Sequence, residues 1–366
     1  VVSRAALYVA GASALALAGL AAWATSGFRE EMAAQRARVA QGSRLVETRC
    51  GVVEVAEAGA SGAATAPGAS RASGDAGDAK PLPPLLVVHG SGGGFDQGLA
   101  IGADYAARGW HVISPSRFGY LRTPWPAQAG SDIGERQADQ LACLLDALGV
   151  EAVAVMGVSA GAIAATEFAV RHPRRTKALI LMVPAGYRPE TTPPMPGWAQ
   201  WLLETLISAD LPFWLASRWA PDLVRRHVLA TPPSEVAAAT EQEQQRVDKM
   251  MREILPISAR SRGLLHDTLA TQRVPRPRLE AIGAPTLAIS ARDDGFGTLA
   301  SAAYAAQTIP GARLLVFDRG GHLLLGHQAE VVAAVEALVR EAAARPPESS
   351  GPTAPAPSPP STATPR

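Results

Sequence analysis

The chain has 366 residues, with 34 basic against 33 acidic side chains and a net charge of +1. The basic residues are scattered rather than clustered, which excludes an electrostatic nucleic-acid surface. Cys50 and Cys143 are too few for a framework and read as packed or idle thiols, not as a disulfide, metal site or nucleophile.

Residues 5–24 (AALYVAGASALALAGLAAWA) carry no charge and are long enough to cross a bilayer as a helix. They predict an N-terminal anchor within residues 1–27, followed by a linker over 28–42. The alternative is a cleaved signal, with Ala22-Trp23-Ala24 as its small-residue site and a secreted or periplasmic product. Basic residues after the segment (Arg29, Arg36, Arg38, Arg44) would hold the body in the cytoplasm, whereas a signal-anchor would export it. The side therefore stays open, and nothing in the sequence sets the oligomeric state.

SRLVETR and GVVEVAE predict an opening hairpin. Residues 58–84 hold a low-complexity loop, and 345–366 form a Pro/Ser/Thr/Ala tail with nothing to bury. Between them LLVVH, HVIS, VAVM, ALILMV, TLAIS and LLVF are continuous apolar runs, suited to strands buried on both faces of a parallel sheet. Helical patterns alternate with them, as in GERQADQLACLLDALGV, AGAIAATEFAVRHP and QAEVVAAVEALVREAAA. The predicted class is α/β, a mostly parallel doubly wound sheet over 43–187 and 281–344. Residues 188–280 break the alternation and predict an inserted helical lid. Four of the seven tryptophans fall there (Trp198, Trp201, Trp214, Trp219), expected mostly to pack the lid and partly to build an apolar substrate pocket.

The chemistry concentrates at strand ends. Gly157-Val158-Ser159-Ala160-Gly161 joins a buried strand to a helix, so Ser159 occupies a sharp turn with its hydroxyl raised above the sheet edge. A serine hydroxyl needs a base. His322 follows paired glycines after the last strand, and His327 is its rival. The acid that fixes the imidazole is drawn from Asp293-Asp294, with Asp294 preferred beside Gly295. HGSGGG (89–94) leaves backbone N–H groups free to bind an oxyanion; Ala160 supplies one donor, and Ser91, or else Gly92, the other. The glycine loop lacks the endings that hold phosphates or dinucleotides, and no metal set is evident.

HGSGGG, GVSAG, ARDDG and GGH, in this order, resemble the α/β-hydrolase superfamily over about residues 43–340. The resemblance implies Ser159 as nucleophile, Asp294 as acid, His322 as base and no cofactor. It departs at Ser116, where many members carry an Asp. HGSGGG is similar to the loop of carbon–carbon bond hydrolases, yet Val158 stands where those enzymes commonly carry Asn, and no Trp follows His322. The expected activity is serine-dependent hydrolysis of an ester or related acyl compound with an apolar small-molecule substrate. The alternatives are carbon–carbon bond hydrolysis or perhydrolysis on the same fold, and a catalytically silent binding or scaffold member.

Overall fold

The computed structural model describes residues 25–59, 82–127, 130, 132–190 and 195–344. A helix, α1, covers residues 25–41. The hairpin follows as β1 (Arg44–Thr48) and β2 (Gly51–Ala58), then β3 (Leu85–Val88), α2 (Phe95–Ala107), β4 (Val112–Pro115), α3 (Ile133–Ala147), β5 (Val153–Val158), α4 (Gly161–Arg171) and β6 (Thr176–Met182). Six helices intervene: α5 (Gly197–Ile207), α6 (Asp210–Trp219), α7 (Pro221–His227), α8 (Pro233–Ala238), α9 (Glu241–Glu253) and α10 (Ser261–Ala270). The chain ends its described part with β7 (Thr286–Ala291), α11 (Leu299–Thr308), β8 (Arg313–Phe317) and α12 (Gln328–Ala344).

The eight strands form one sheet in the order β1-β2-β4-β3-β5-β6-β7-β8, with β2 antiparallel to both neighbours and the rest parallel. Because β3, β5 and β7 are covered on both faces, every residue in them is buried. One face packs Leu86, Val155 and Leu179 against Leu141, Leu145 and Phe168 of α3 and α4. The other packs Val87, Met156 and Ile180 against Tyr105 of α2 and Val335 of α12. LLVF was expected to be buried on both faces, but β8 is the sheet edge and leaves Leu314 exposed.

Four sequence expectations need correction or fall away. No helix among the described residues is long and apolar enough to cross a membrane. The expected single membrane-anchoring helix is therefore withdrawn. Residues 5–24 and the cleavage site lie outside the described residues, as do the tail and most of the low-complexity loop. The helix that follows, α1, is charged and half-exposed rather than apolar, and it replaces most of the expected linker. It lies on the insert: Met32 is buried among Ile207, Trp214 and Val224, and Phe28 meets Trp214 edge to face at 5.6 Å. Arg38 ties it to the core through Asp96 at 2.6 Å.

The cysteines were expected to be free, yet Cys50 and Cys143 form a disulfide with Cα atoms 6.0 Å apart. They are 93 positions apart in sequence. The β1–β2 turn carries Cys50 over α3, a juxtaposition that only the tertiary fold creates. Finally, Trp214 is buried, but Trp198, Trp201 and Trp219 are 72%, 66% and 59% exposed, and none of the four lines the large cavity. On α5 the tryptophans take the outer face, so Leu206 and Ile207 line the cavity instead.

Candidate active site

Ser159 ends β5 and precedes α4 with φ 50°, a left-handed angle that a side chain adopts only when its surroundings enforce it. The enforcement is visible in the neighbouring bonds: Ser159 N–H donates to the Met182 carbonyl at 3.0 Å, and its carbonyl accepts from Ala162 and Ala185. Gly157 and Gly161 are obligatory there. A Cβ at Gly157 would lie 2.6 Å from Ala162 Cα, and one at Gly161 would strike the Val88 and His89 carbonyls.

β7 and β8 deliver the other two groups. Asp294, at the end of β7, accepts from His322 Nδ1 at 2.8 Å, from the Phe296 N–H at 2.8 Å, and from the Thr298 hydroxyl. Burial pushes its carboxyl up, but the hydrogen bond and charge of His322, with Thr298 and Phe296, outweigh this and hold it below the usual aspartate value. The adjacent Asp293 does separate work. It accepts from the N–H groups of Gly320 and Gly321, fixing the loop that carries His322. Phe296 meets the His322 ring edge-on at 4.9 Å. His327, the rival base, instead stacks on Phe317 at 3.9 Å and reaches Glu330.

Ser159 and His322 line one cavity of about 1270 Å³, together with Gly90, Ser91 and Gly92. Ser91 and Ala160 N–H groups have no acceptor among the described residues. The Gly92 N–H lies toward the Tyr120 hydroxyl, and Ser91 stays the first of the two residues considered for the second oxyanion donor. The arrangement can present a hydroxyl, an imidazole held by a carboxylate, and two amides to one substrate carbonyl.

Several side-chain contacts at the site carry no local mark in the sequence. Gln97 accepts from the Gly90 N–H at 2.8 Å. His89 is buried with Nδ1 2.8 Å from the Gly90 carbonyl and Nε2 accepting from the Arg117 N–H at 2.9 Å. The second bond fixes the neutral tautomer, and burial, aided by Arg117, pushes its pKa down to about 3. Arg117 grips the buried Asp267 of α10 with both guanidinium nitrogens. The Ser116 departure also finds its explanation: Ser116 Oγ donates to Glu54 of β2 at 2.9 Å. Glu54 is fully buried and paired with Arg122. SRFGY, following β4, was the one sequence cue to this group; Asp267, on an insert helix, had none.

The family model described as alpha/beta hydrolase fold matches residues 83–326. The chain belongs to this family. Proteins similar to it include the uncharacterized hydrolase YcgS of Bacillus subtilis (strain 168). That protein is 29% identical over 273 residues, covering 67% of this chain and 87% of that protein. The 2-hydroxy-6-oxo-6-phenylhexa-2,4-dienoate hydrolase of Burkholderia cepacia is 27% identical over 247 residues, 65% of this chain and 80% of that one. Among solved structures, an alpha/beta hydrolase fold protein from Nakamurella multipartita superposes with a TM-score of 0.59 at 26% identity. It covers 81% of this chain and 99% of its own. The family and these hydrolases make the chain a hydrolase enzyme, and the silent scaffold reading falls away.

Proposed function

We propose that this hydrolase cleaves a carbon–carbon bond beside a ketone, in an anionic dienoate of the kind named for its Burkholderia relative, through Ser159, His322 and Asp294. The observation that carries the reaction type is that similarity, which spans 80% of the relative. The relative's named substrate holds no ester or amide, so its hydrolysis must break a carbon–carbon bond next to the keto group. The expectation of ester hydrolysis is the less well supported of the two.

His322 takes the Ser159 proton as Oγ bonds to the ketone carbon, and the oxygen becomes an oxyanion facing the Ser91 and Ala160 amides. When the carbonyl re-forms, the carbon–carbon bond breaks. For that bond's electron pair to be spread over a conjugated dienolate, the 2-hydroxyl proton first moves to the carbon that will leave, giving the 2-oxo tautomer. The dienolate released then takes, on its oxygen, the proton held by His322. Water then attacks the acyl group, His322 takes its proton, and Ser159 leaves with that proton restored. Asp294 holds the imidazole in the tautomer that both transfers need.

The cations Arg246 and Lys249 of α9, in a lining that also holds Asp104, Glu243 and Glu253, support the reading of an anionic substrate. Burial pushes the Arg246 guanidinium below its ordinary value, only partly offset by Glu243 and Asp104. A substrate carboxylate there would relieve that cost. The rest of the lining is largely apolar, with Leu206, Ile207, Phe213 and Val224 among its side chains.

Ester hydrolysis stands as the second reading because Val158 and Leu323 replace the Asn and Trp common in the carbon–carbon enzymes. A direct comparison separates the two. With 2-hydroxy-6-oxo-6-phenylhexa-2,4-dienoate and p-nitrophenyl esters of two to eight carbons, the dienoate is expected to show the higher kcat/KM by at least about tenfold. Turnover of the esters with an inert dienoate would reverse the assignment.

A further inference from the structure

The loop His89–Gly94 is held mainly by side chains, several of which come from outside the sheet. Ser91 Oγ donates to Asp267 Oδ2 at 3.1 Å, and the Tyr120 hydroxyl donates to the same oxygen at 2.5 Å. Tyr120 is in turn approached by the Gly92 N–H. Arg117 pairs with Asp267 and donates through Nε to the His89 carbonyl at 2.9 Å. On the other side the Gly93 carbonyl accepts from Arg260 Nη1, while Arg260 Nη2 holds Asp96 at 2.7 Å and the Glu253 carbonyl at 3.0 Å.

Two of these anchors belong to the segment between β6 and β7. Asp267 sits on α10, and Arg260 in the turn just before it. Both are buried, Arg260 completely. Leaving a buried charge with fewer partners is expensive, so neither can shift without carrying the groups it binds. The loop lies between them, with Ser91 tied to Asp267 and Gly93 to Arg260.

We propose that Asp267 and Tyr120, supported by Arg117 and Arg260, are positioning residues through which the helical insert sets the orientation of the Ser91 amide toward the reacting carbonyl. This rests on the reading of Ser91 and Ala160 as the oxyanion donors for a Ser159 nucleophile. None of the four touches the reacting atoms. They act by fixing the two peptide planes that flank the donor. A loop held in this way needs no reorganisation when charge develops on the carbonyl oxygen. An insert displaced from the sheet would carry that alignment away with it.

The test uses fluorophosphonate inactivation, which forms a tetrahedral oxyanion-like adduct, and separates the maximal rate kinact from the binding constant KI. Labelling of wild type but not Ser159→Ala establishes the underlying reading, and labelling that persists in Ser159→Ala overturns it along with the proposal. Given the former, Tyr120→Phe is expected to lower kinact about ten- to hundredfold with KI within threefold, because a displacement of the order of an ångström costs that much. Ser91→Ala, which keeps the amide and loses only the tether, is expected to move kinact in the same direction and serves if Tyr120→Phe does not fold. Val236→Ala, in the insert's own apolar core, is the comparison: it should lower Tm and leave kinact unchanged. Folded tether variants with wild-type kinact, or a loss equal to that of Val236→Ala, would show a merely structural network and overturn the proposal.

Discussion

At the scale of single residues, adjacent acids have different tasks. Asp294 orients the imidazole, whereas Asp293 ties down the loop on which the imidazole rides. Asp294→Asn removes the charge that stabilises the imidazolium and is expected to lower kcat about ten-thousandfold with little loss of fold. Asp293→Asn keeps the triad's chemistry and should cost about tenfold. Steady-state kinetics with circular dichroism checks both, and equal losses would contradict the division of labour. His89 gives a pH signature. Its folded pKa of about 3 lies below the ordinary histidine value of 6.5. The stability it contributes is thus complete above pH 6.5 and lost as pH falls from there toward 3. Tm should begin to drop below about pH 6.5 in wild type and drop less steeply in His89→Asn; parallel curves would contradict it. Ser159, Asp294 and His322 were legible because each stands at a strand end flanked by glycine, a local pattern. Arg117, the partner of His89, was not legible, because nothing local marks which charges the fold will bury together.

At the scale of elements, the strands were legible from their unbroken apolar runs, and the edge position of β8 was not, because strand order is a tertiary property. The stretch EVAAATEQEQQRVDKMMREIL is shared between two helices, α8 and α9. Thr240 caps α9, its side chain accepting from the Glu243 N–H at 3.3 Å. The buried face of α10 includes Gly263 and Asp267 rather than an apolar stripe. The Cys50–Cys143 bond closes a long loop between the hairpin and α3, so its reduction should destabilise the protein by about 3–4 kcal/mol. Guanidinium unfolding with and without dithiothreitol measures this. Two free thiols in the native, unreduced protein would refute the crosslink. α1 adds a second clasp, with Met32 buried at the insert and Arg38 on Asp96. Met32→Ala should cost about 2–3 kcal/mol by removing that contact. An unchanged denaturation midpoint would mean that α1 contributes nothing to the insert's packing.

At the scale of the whole molecule, sheet and insert share one cavity: the sheet supplies Ser159 and His322 at its carboxyl edge, and the insert supplies most of the apolar wall and Arg246. That division explains why the residues gathered at the sheet edge could be read in the sequence and the cavity wall could not. Catalytic groups sit in short motifs, but a cavity wall is assembled from helices whose inward faces are decided by packing. Under the proposal that Arg246, one of the cations of the lining, receives the substrate carboxylate, Arg246→Met should raise KM for a dienoate about tenfold and leave neutral p-nitrophenyl esters within twofold. Equal effects on both would assign Arg246 to packing alone. The central claim is that Ser159 attacks the ketone carbon, and dienoate turnover by Ser159→Ala tests it most directly. The account predicts that kcat falls at least about thousandfold in a protein that still folds and binds substrate; turnover within tenfold of wild type would contradict it.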